Sequence, residues 1–198
     1  MEVTRHREAV RHRYFVPGWG VGEIVVRDRV LVSHSLPSRR SRPGERGQPD
    51  HTPGPSPPDG GASTPEFTLA DDPAQPGNDF VSDVCRRFES HLRGVQVSYA
   101  DVTVDDTGLS SFHHDLLHAA RTIEWGEVVT YGGLAALAGR PRAARAAGSF
   151  CAVNRLSLVV PCHRIVAAGR GEPFELGGYG PSGLALKRRL LGLEGTLL

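Results

Sequence analysis

Apolar and polar residues alternate through GEIVVRDRVLVSHS (22–35), on either side of a polar Arg27-Asp28-Arg29 step. A period of two predicts a β-hairpin with one buried face. The alternation stops in LPSRRSRPGERGQPDHTPGPSPPDGGASTPEF, which is dense in Pro, Gly, Ser and charge. Proline removes backbone donors, and this composition cannot bury enough apolar area to offset chain entropy. Residues 37–78 are therefore expected to be disordered or loosely held, and a tolerated surface insertion is preferred over an interaction tail. Helical spacing begins near Phe80: DFVSDVCRRFESHLRG (79–94) sets Phe80, Val84 and Phe88 four apart, with Cys85 beside that stripe as an ordinary core or boundary residue. VSYADVTVD then reads as extended.

SSFHHDLLHAARTIEW (110–125) repeats the helical pattern through Phe112, Leu116, Ala120 and Ile123. In GEVVTYGGLAALAGRPRAARAAGSFCAVNR (126–155), Thr130 can cap a short helix through Leu137 that Gly139 ends. Pro141 suits the first turn of a second, Ala- and Gly-rich helix. Two short helices joined by a tight Gly-containing turn match a helix-turn-helix, although Ala-rich pairs are also common core elements. LSLVV (156–160) reads as a short buried strand. Pro161 cannot donate a ladder hydrogen bond, so pairing should stop there and leave Cys162 just past the strand end. A glycine-rich loop, IVAAGRGEPFELGGYGPSG, leads to a last amphipathic helix, GLALKRRLLGLEG, using Leu186, Leu190 and Leu193.

Composition narrows the classes. The chain has 198 residues, enough for one or two compact domains, and a net charge of +1. From Arg140 onward, however, basic residues outnumber Glu172, Glu175 and Glu194, the pattern of a phosphate-binding face. Three widely spaced cysteines, Cys85, Cys151 and Cys162, make neither a disulfide framework nor a CxxC zinc motif. No apolar run is long enough for a membrane span, and the basic start lacks an apolar signal region. The expectation is a soluble, cytoplasmic protein with no metal and no cofactor. His113, His114 and His118 could suggest a metal, but no carboxylate or thiol lies at matching spacing, so solvated helix-face histidines are the preferred reading.

The chemistry gathers in LVVPCHRIV (158–166), where a thiol, an imidazole and a guanidinium follow one another in an apolar run. Most buried thiols are inert. A neighbouring His or Arg favours the thiolate and can lower the thiol below its free value of about 8.5. Adjacent residues do not generally face each other, so a water or a third group would have to link Cys162 and His163. Burying His and Arg is costly unless they are paired. On residue chemistry a catalytic thiol is preferred to a packed one, with a Cys-His hydrolase and a plain helix-turn-helix regulator as alternatives.

VVPCHRIV, with Asn154 eight residues before the cysteine, resembles the active-site signature of the methylated-DNA–protein-cysteine methyltransferases, or 6-O-alkylguanine-DNA alkyltransferases. GEVVTYGGLAALAGRPRAARAAGS is similar to that family's helix-turn-helix, and GGYGPSGLALKRRLLGLEG to its closing loop and helix. The resemblance covers roughly residues 108–196. It implies sequence-independent binding of a monomer to the minor groove of duplex DNA, with no membrane role and nucleoid association if the source is bacterial. A 6-O-methylguanine, or a 4-O-methylthymine, would be flipped out and its alkyl group moved irreversibly to Cys162. A non-catalytic lesion-binding protein of the same fold is the alternative.

By resemblance, Cys162 is the acceptor and His163 takes its proton through a water. Glu194 orients His163, and Asn154 ties the recognition helix to the active-site segment. Tyr131 presses on the target phosphate, Arg145 enters the stack, and Arg142 and Ala143 belong to the DNA face. The small residues Ala143, Ala144, Ala146, Ala147 and Gly148 let the helix approach the groove. Tyr179 with Leu176, Gly177 and Gly178 walls the guanine pocket, while Arg164 and Pro161 are structural. Arg155 and Ser157 stand where the family often has prolines, Gly180 where a hydroxyl residue could hold the guanine oxygen, and the loop after the signature is long. The fold implied is α+β: an N-terminal β-roll-like, ribonuclease H-like domain (1–107, interrupted by 37–78), then a mainly helical, winged-helix-like C-terminal domain (108–198).

Overall fold

The computed structural model describes residues 8–38, 78–169, 174–179 and 183–196. Three antiparallel strands, β1 (Val10–Val16), β2 (Gly20–Arg27) and β3 (Val30–Ser38), form a meander in the order β1-β2-β3. The expected hairpin is its β2–β3 half. Its turn is the two-residue step Asp28-Arg29, both with positive φ (49° and 63°), the backbone that matches the right-handed twist of paired strands. The alternation buries Ile24, Val26 and Leu31 on one face. β1 was not foreseen, because VRHRYFV carries three polar residues in seven; Tyr14 and Val16 are its buried positions. β3 runs to Ser38, so order extends through Pro37, two residues into the segment expected to be a loose insertion. Residues 39–77 lie outside the described part.

Helix α1 (Asn78–Leu92) packs on this sheet through Val81, Val84, Phe88 and Leu92. VSYADVTVD, expected to be extended, is broken by a turn at Ala100-Asp101, with Val102 N–H on Tyr99 O at 3.0 Å, and forms no full strand. It meets β3 through one parallel bridge, Leu31 with Val104, held by Leu31 N–H to Thr103 O and Asp105 N–H to Leu31 O, both 2.9 Å. α2 (Ser111–Arg121) starts at Ser110, whose side chain accepts from His113 N–H. α3 (Tyr131–Leu137) starts at Thr130, which accepts from Gly133 N–H, as expected. It ends at Gly139 (φ 77°), with Gly139 N–H on Ala136 O and Arg140 N–H on Ala135 O, a Schellman end. α4 (Ala144–Val153) begins three residues later than Pro141. Arg140 to Ala143 instead close a turn, Ala143 N–H to Arg140 O at 2.9 Å, in which proline pre-sets the second position.

A second small sheet pairs β4 (Val129–Thr130) parallel to β5 (Ile165–Ala168), and β5 antiparallel to β6 (Phe174–Glu175). β5 and β6 fall inside the expected glycine-rich loop. The strand expected over 156–160 is absent. Leu156 makes only one bridge, to His34, and residues 157–159 are a buried turn with Leu158 at φ 69°. Apolar composition alone could not separate a buried strand from a buried turn. α5 (Gly183–Leu193) closes the chain; Lys187, Leu190 and Leu191 are buried, whereas Leu186 and Leu193 are only partly so.

One continuous core joins the sheet to the helices. His34 of β3 stitches it to the chain ahead of Cys162. Its backbone N–H bonds Arg155 O at 2.7 Å, its Nδ1 donates to Ser157 O at 2.7 Å, and its Nε2 accepts from Tyr14 OH at 2.5 Å. The ring stacks on Phe88 at 3.8 Å. Both ring nitrogens are used by a neutral imidazole, and burial pushes His34 down to about 4. The unfolded chain therefore takes up this proton first, near pH 6.5. Stability should be fully present above that pH and fall as pH drops towards 4, by roughly 3 kcal/mol from His34 alone. Urea midpoints at pH 7, 6 and 5 should show this slope, and His34→Leu should reduce it while lowering stability at pH 7.

Candidate active site

Cys162 is placed by three successive local devices. Pro161 (φ −79°, ψ 61°) forms an inverse γ-turn with Cys162 N–H on Val160 O at 2.8 Å. Residues Cys162–Arg164 then make one 3-10 turn. Before them, the left-handed Leu158 costs about 1–2 kcal/mol, and it persists because its side chain is buried and Asn154 clamps both ends of the turn. Asn154 Oδ1 accepts from Leu156 N–H at 3.0 Å, and its Nδ2 donates to Val160 O at 3.1 Å. The same Nδ2 reaches Cys162 Sγ at 3.2 Å. A single side chain at the end of α4 thus shapes the turn and touches the sulfur.

Glu194 receives the two residues that follow. His163 Nε2 donates to its Oε1 at 2.9 Å. Arg164 Nε donates to Oε2 at 2.9 Å and an Arg164 terminal nitrogen to Oε1 at 2.8 Å; the other terminal nitrogen donates to Ile123 O at 2.6 Å. His91 of α1 brings Nε2 to 3.2 Å from Oε1, off the direction of a good hydrogen bond. All four side chains are buried. Burial alone would raise Glu194, but the donors from His163 and Arg164, with His91 close beside them, outweigh it and hold the carboxylate well below its usual range. With Nε2–H committed to Glu194, His163 is left with a bare, buried Nδ1 that has no partner among the described residues. Burial lowers His163 to about 4, so it is a neutral base at pH 7.

The thiol differs from the sequence expectation. Burial dominates and raises Cys162 above its ordinary value; Asn154, Lys187 and Tyr179 pull the other way without overcoming it. Arg164 gives its donors to Glu194 and Ile123. The resting sulfur is therefore a thiol that must lose its proton to react, rather than a standing thiolate. The cation acting on it is Lys187, which sequence reasoning missed. Lys187 is fully buried, with Nζ donating to Ile165 O at 2.5 Å and Gly178 O at 3.2 Å, and lies 5.9 Å from the ring centres of both Tyr131 and Tyr179. Burial lowers it to about 8. Cys151, the second cysteine near this site, is raised by burial to about 12 and is inert as a nucleophile at neutral pH.

Tyr179 lies against the sulfur, its buried hydroxyl making no regular hydrogen bond. Tyr131 opens α3 and donates its hydroxyl to Gly178 O at 3.3 Å. Gly177 (φ 65°) sits so close beneath that ring that a Cβ would lie 3.0 Å from it and 3.2 Å from Ala167 N, and a side chain there would be strained by the left-handed backbone. Tyr131, Gly177 and Gly178 thus pack together, and Tyr179 of the same segment lies beside Cys162. Gly180 lies outside the described residues. Arg142 is exposed in the turn before α4, Ala143 is half-buried, and Arg145 is exposed in the first turn of α4. Ala147 is fully buried and faces the core rather than the outer surface. Nine residues, about 14 Å of helix, separate Arg145 from Asn154.

Two signals could have exposed the missed residues. His91 falls three residues after Phe88, on the apolar stripe of α1. Lys187 and Glu194, seven apart, share the buried face of α5 with Leu190 and Leu191.

A mixed α+β chain with a helix-turn-helix beside a buried cysteine and a buried His163–Glu194 pair is thereby defined, and comparison specifies it further. Residues 111–196 match the family model described as the 6-O-methylguanine DNA methyltransferase DNA-binding domain. A methylated-DNA–protein-cysteine methyltransferase of Methanopyrus kandleri is 38% identical over 134 residues, 67% of this chain and 95% of that protein. One from Salmonella typhimurium is 45% identical over 92 residues, 46% of this chain and 51% of that protein. The crystal structure of Mycobacterium tuberculosis OGT in complex with DNA superposes with a TM-score of 0.63 at 26% identity, covering 93% of this chain and 92% of that one. The chain belongs to the methylated-DNA–protein-cysteine methyltransferase family. No described helix is long and apolar enough to cross a membrane.

Lys187→Met should raise the Cys162 pKa further. With less thiolate present, alkylation of Cys162 by iodoacetamide at pH 7.5, followed by mass, should slow. Lys187→Arg should retain more of the rate than Lys187→Met.

Proposed function

We propose that this protein repairs DNA by direct reversal, moving the alkyl group of 6-O-methylguanine, and of 4-O-methylthymine, onto Cys162. The observation that carries the reading is the buried thiol held by Asn154 next to a neutral imidazole whose Nδ1 is bare and whose Nε2–H is fixed on Glu194. His163 Nδ1 takes the thiol proton through a bridging water. The thiolate attacks the methyl carbon in line; the S–C bond forms as the C–O bond breaks, and its electron pair goes to the guanine oxygen. The leaving base takes up the proton released by the thiol, so the net products are S-methylcysteine and guanine. Glu194 stabilises the transient imidazolium. A thioether cannot be reduced by a second thiol, so each molecule acts once.

The methyl carbon is inaccessible inside a duplex, and unstacking the base costs a few kcal/mol. Arg145, exposed at the start of α4, fills the vacated stack, Tyr131 presses on the target phosphate, and Arg142 and Ala143 line the minor groove. That groove carries little sequence information, which suits a damage scanner. Leu176 to Tyr179 wall the extruded base, next to the sulfur. We read residues 1–107 as a ribonuclease H-like roll and 108–198 as a winged-helix-like domain, acting as a monomer. The continuous core and the His34 and His91 contacts support the first as a brace for the second.

Incubation with duplex DNA carrying 6-O-methylguanine should add one methyl group to Cys162 per molecule and no more. Cys162→Ala should take up none yet still bind DNA. Binding without mass gain in the native chain would favour a non-catalytic lesion binder, and repeated turnover a hydrolase. Arg145→Ala should slow reaction with duplex far more than with free 6-O-benzylguanine, since only the duplex requires extrusion; equal loss on both would remove its base-flipping role.

A further inference from the structure

His114 and His118 stand one turn apart on the exposed face of α2, which points both rings the same way. The sequence places no carboxylate at matching spacing, which favours solvated helix-face histidines. The fold supplies one. The turn before α2 brings Asp106 Oδ2 to 3.1 Å from His114 Nε2, and His118 Nε2 lies 3.1 Å from the same nitrogen. The ligand atoms of all three residues fall within 4.8 Å of one another.

Protons satisfy this arrangement poorly. If His114 Nε2 carries a proton, it can donate to Asp106, and His118 must then approach it as a second donor or acceptor on an occupied site. If His114 Nε2 accepts from His118, its lone pair faces a carboxylate oxygen. A cation satisfies all three lone pairs at once. Bonds of about 2.0–2.1 Å to a tetrahedral zinc place ligand atoms about 3.3 Å apart, close to the spacings seen. Two imidazoles and one carboxylate suit a borderline divalent transition ion rather than Mg²⁺ or Ca²⁺, which prefer all-oxygen shells. His113 faces elsewhere, its ring 5.8 Å from Phe150. The buried His91, His163 and Glu194 group is a poorer cation site, because Arg164 already occupies both Glu194 oxygens.

We propose that Asp106, His114 and His118 bind a zinc-type divalent cation, with a fourth position open to water. The ion would staple the turn at 105–110, which includes the Ser110 cap, to the first two turns of α2. That helix packs through Phe112, Leu116, Leu117 and Ala120 beneath α3 and α4, so the ion would brace the helix-turn-helix from behind. The proposal is independent of the alkyl-transfer reading.

The test is a zinc titration of the full, untagged chain after chelator treatment, by calorimetry and by thermal unfolding. One ion should bind and raise the melting temperature. His114→Ala and His118→Ala should each remove that rise, and Asp106→Asn should weaken binding about tenfold or more. Metal-free His114→Ala should still methylate Cys162 at the native rate. Cobalt in place of zinc should give the visible absorption of a tetrahedral centre, lost in the same variants. Undiminished binding in the histidine variants would place the ion elsewhere, on the thiols for example, and overturn the proposal. Absence of binding would do the same, and unchanged affinity in Asp106→Asn would reduce the site to a histidine pair and refute the three-ligand centre.

Discussion

A single buried carboxylate organises this molecule. Isolated in the interior, Glu194 would be strongly disfavoured; here it is charged because groups from two other parts of the chain converge on it. His163 and Arg164 come from the turn after Pro161, His91 from α1, and Glu194 itself from the end of α5. The end of α5 is fixed by a Schellman motif at Gly195 (φ 80°), with Thr196 N–H on Leu191 O, and by Thr196 Oγ1 on Gly126 O at 2.8 Å. Neutralising the carboxylate would strand a buried guanidinium and unseat the imidazole together. Stability and chemistry therefore draw on the same interaction.

The same burial sets the chemistry of the sulfur. A low-polarity setting raises the thiol and lowers the imidazole, so both groups rest neutral. Asn154, Tyr179 and Lys187 then favour the thiolate once it forms. This division differs from an exposed reactive cysteine, which would be ionised and open to any electrophile. Under the proposed reading, a nucleophile that can be used only once gains from being quiet until its substrate arrives.

The N-terminal sheet takes part in this arrangement. His34 fixes the carbonyls of Arg155 and Ser157 on the segment that leads to Cys162, and His91 reaches Glu194. On α5, Arg189 stacks 3.4 Å from the Trp19 ring centre and donates to Gly18 O at 3.2 Å, while Trp19 donates to Leu92 O at 2.8 Å. The meander thus holds both ends of the helix-borne site.

Local physics was legible in the sequence. The Thr130 cap, the Gly139 stop, the Asp28-Arg29 turn and the adjacency of Cys162 and His163 depend on a few neighbouring residues, and short-range rules capture them. The signature and helix-turn-helix gave the family by resemblance. The nature of 156–160 was not legible, because a buried apolar run fits a strand or a turn equally and the choice fell to the Asn154 clamp. Nor was the state of the thiol, which is decided by burial and by Lys187, 25 residues away in sequence. The pairing of Glu194 with His163 was given by resemblance, whereas the convergence of His91 and Arg164 on the same carboxylate, and of Asp106 on His114, needed the fold. Spacing along a chain reports which side chains share a face; only packing brings distant faces together and sets the dielectric in which their charges act.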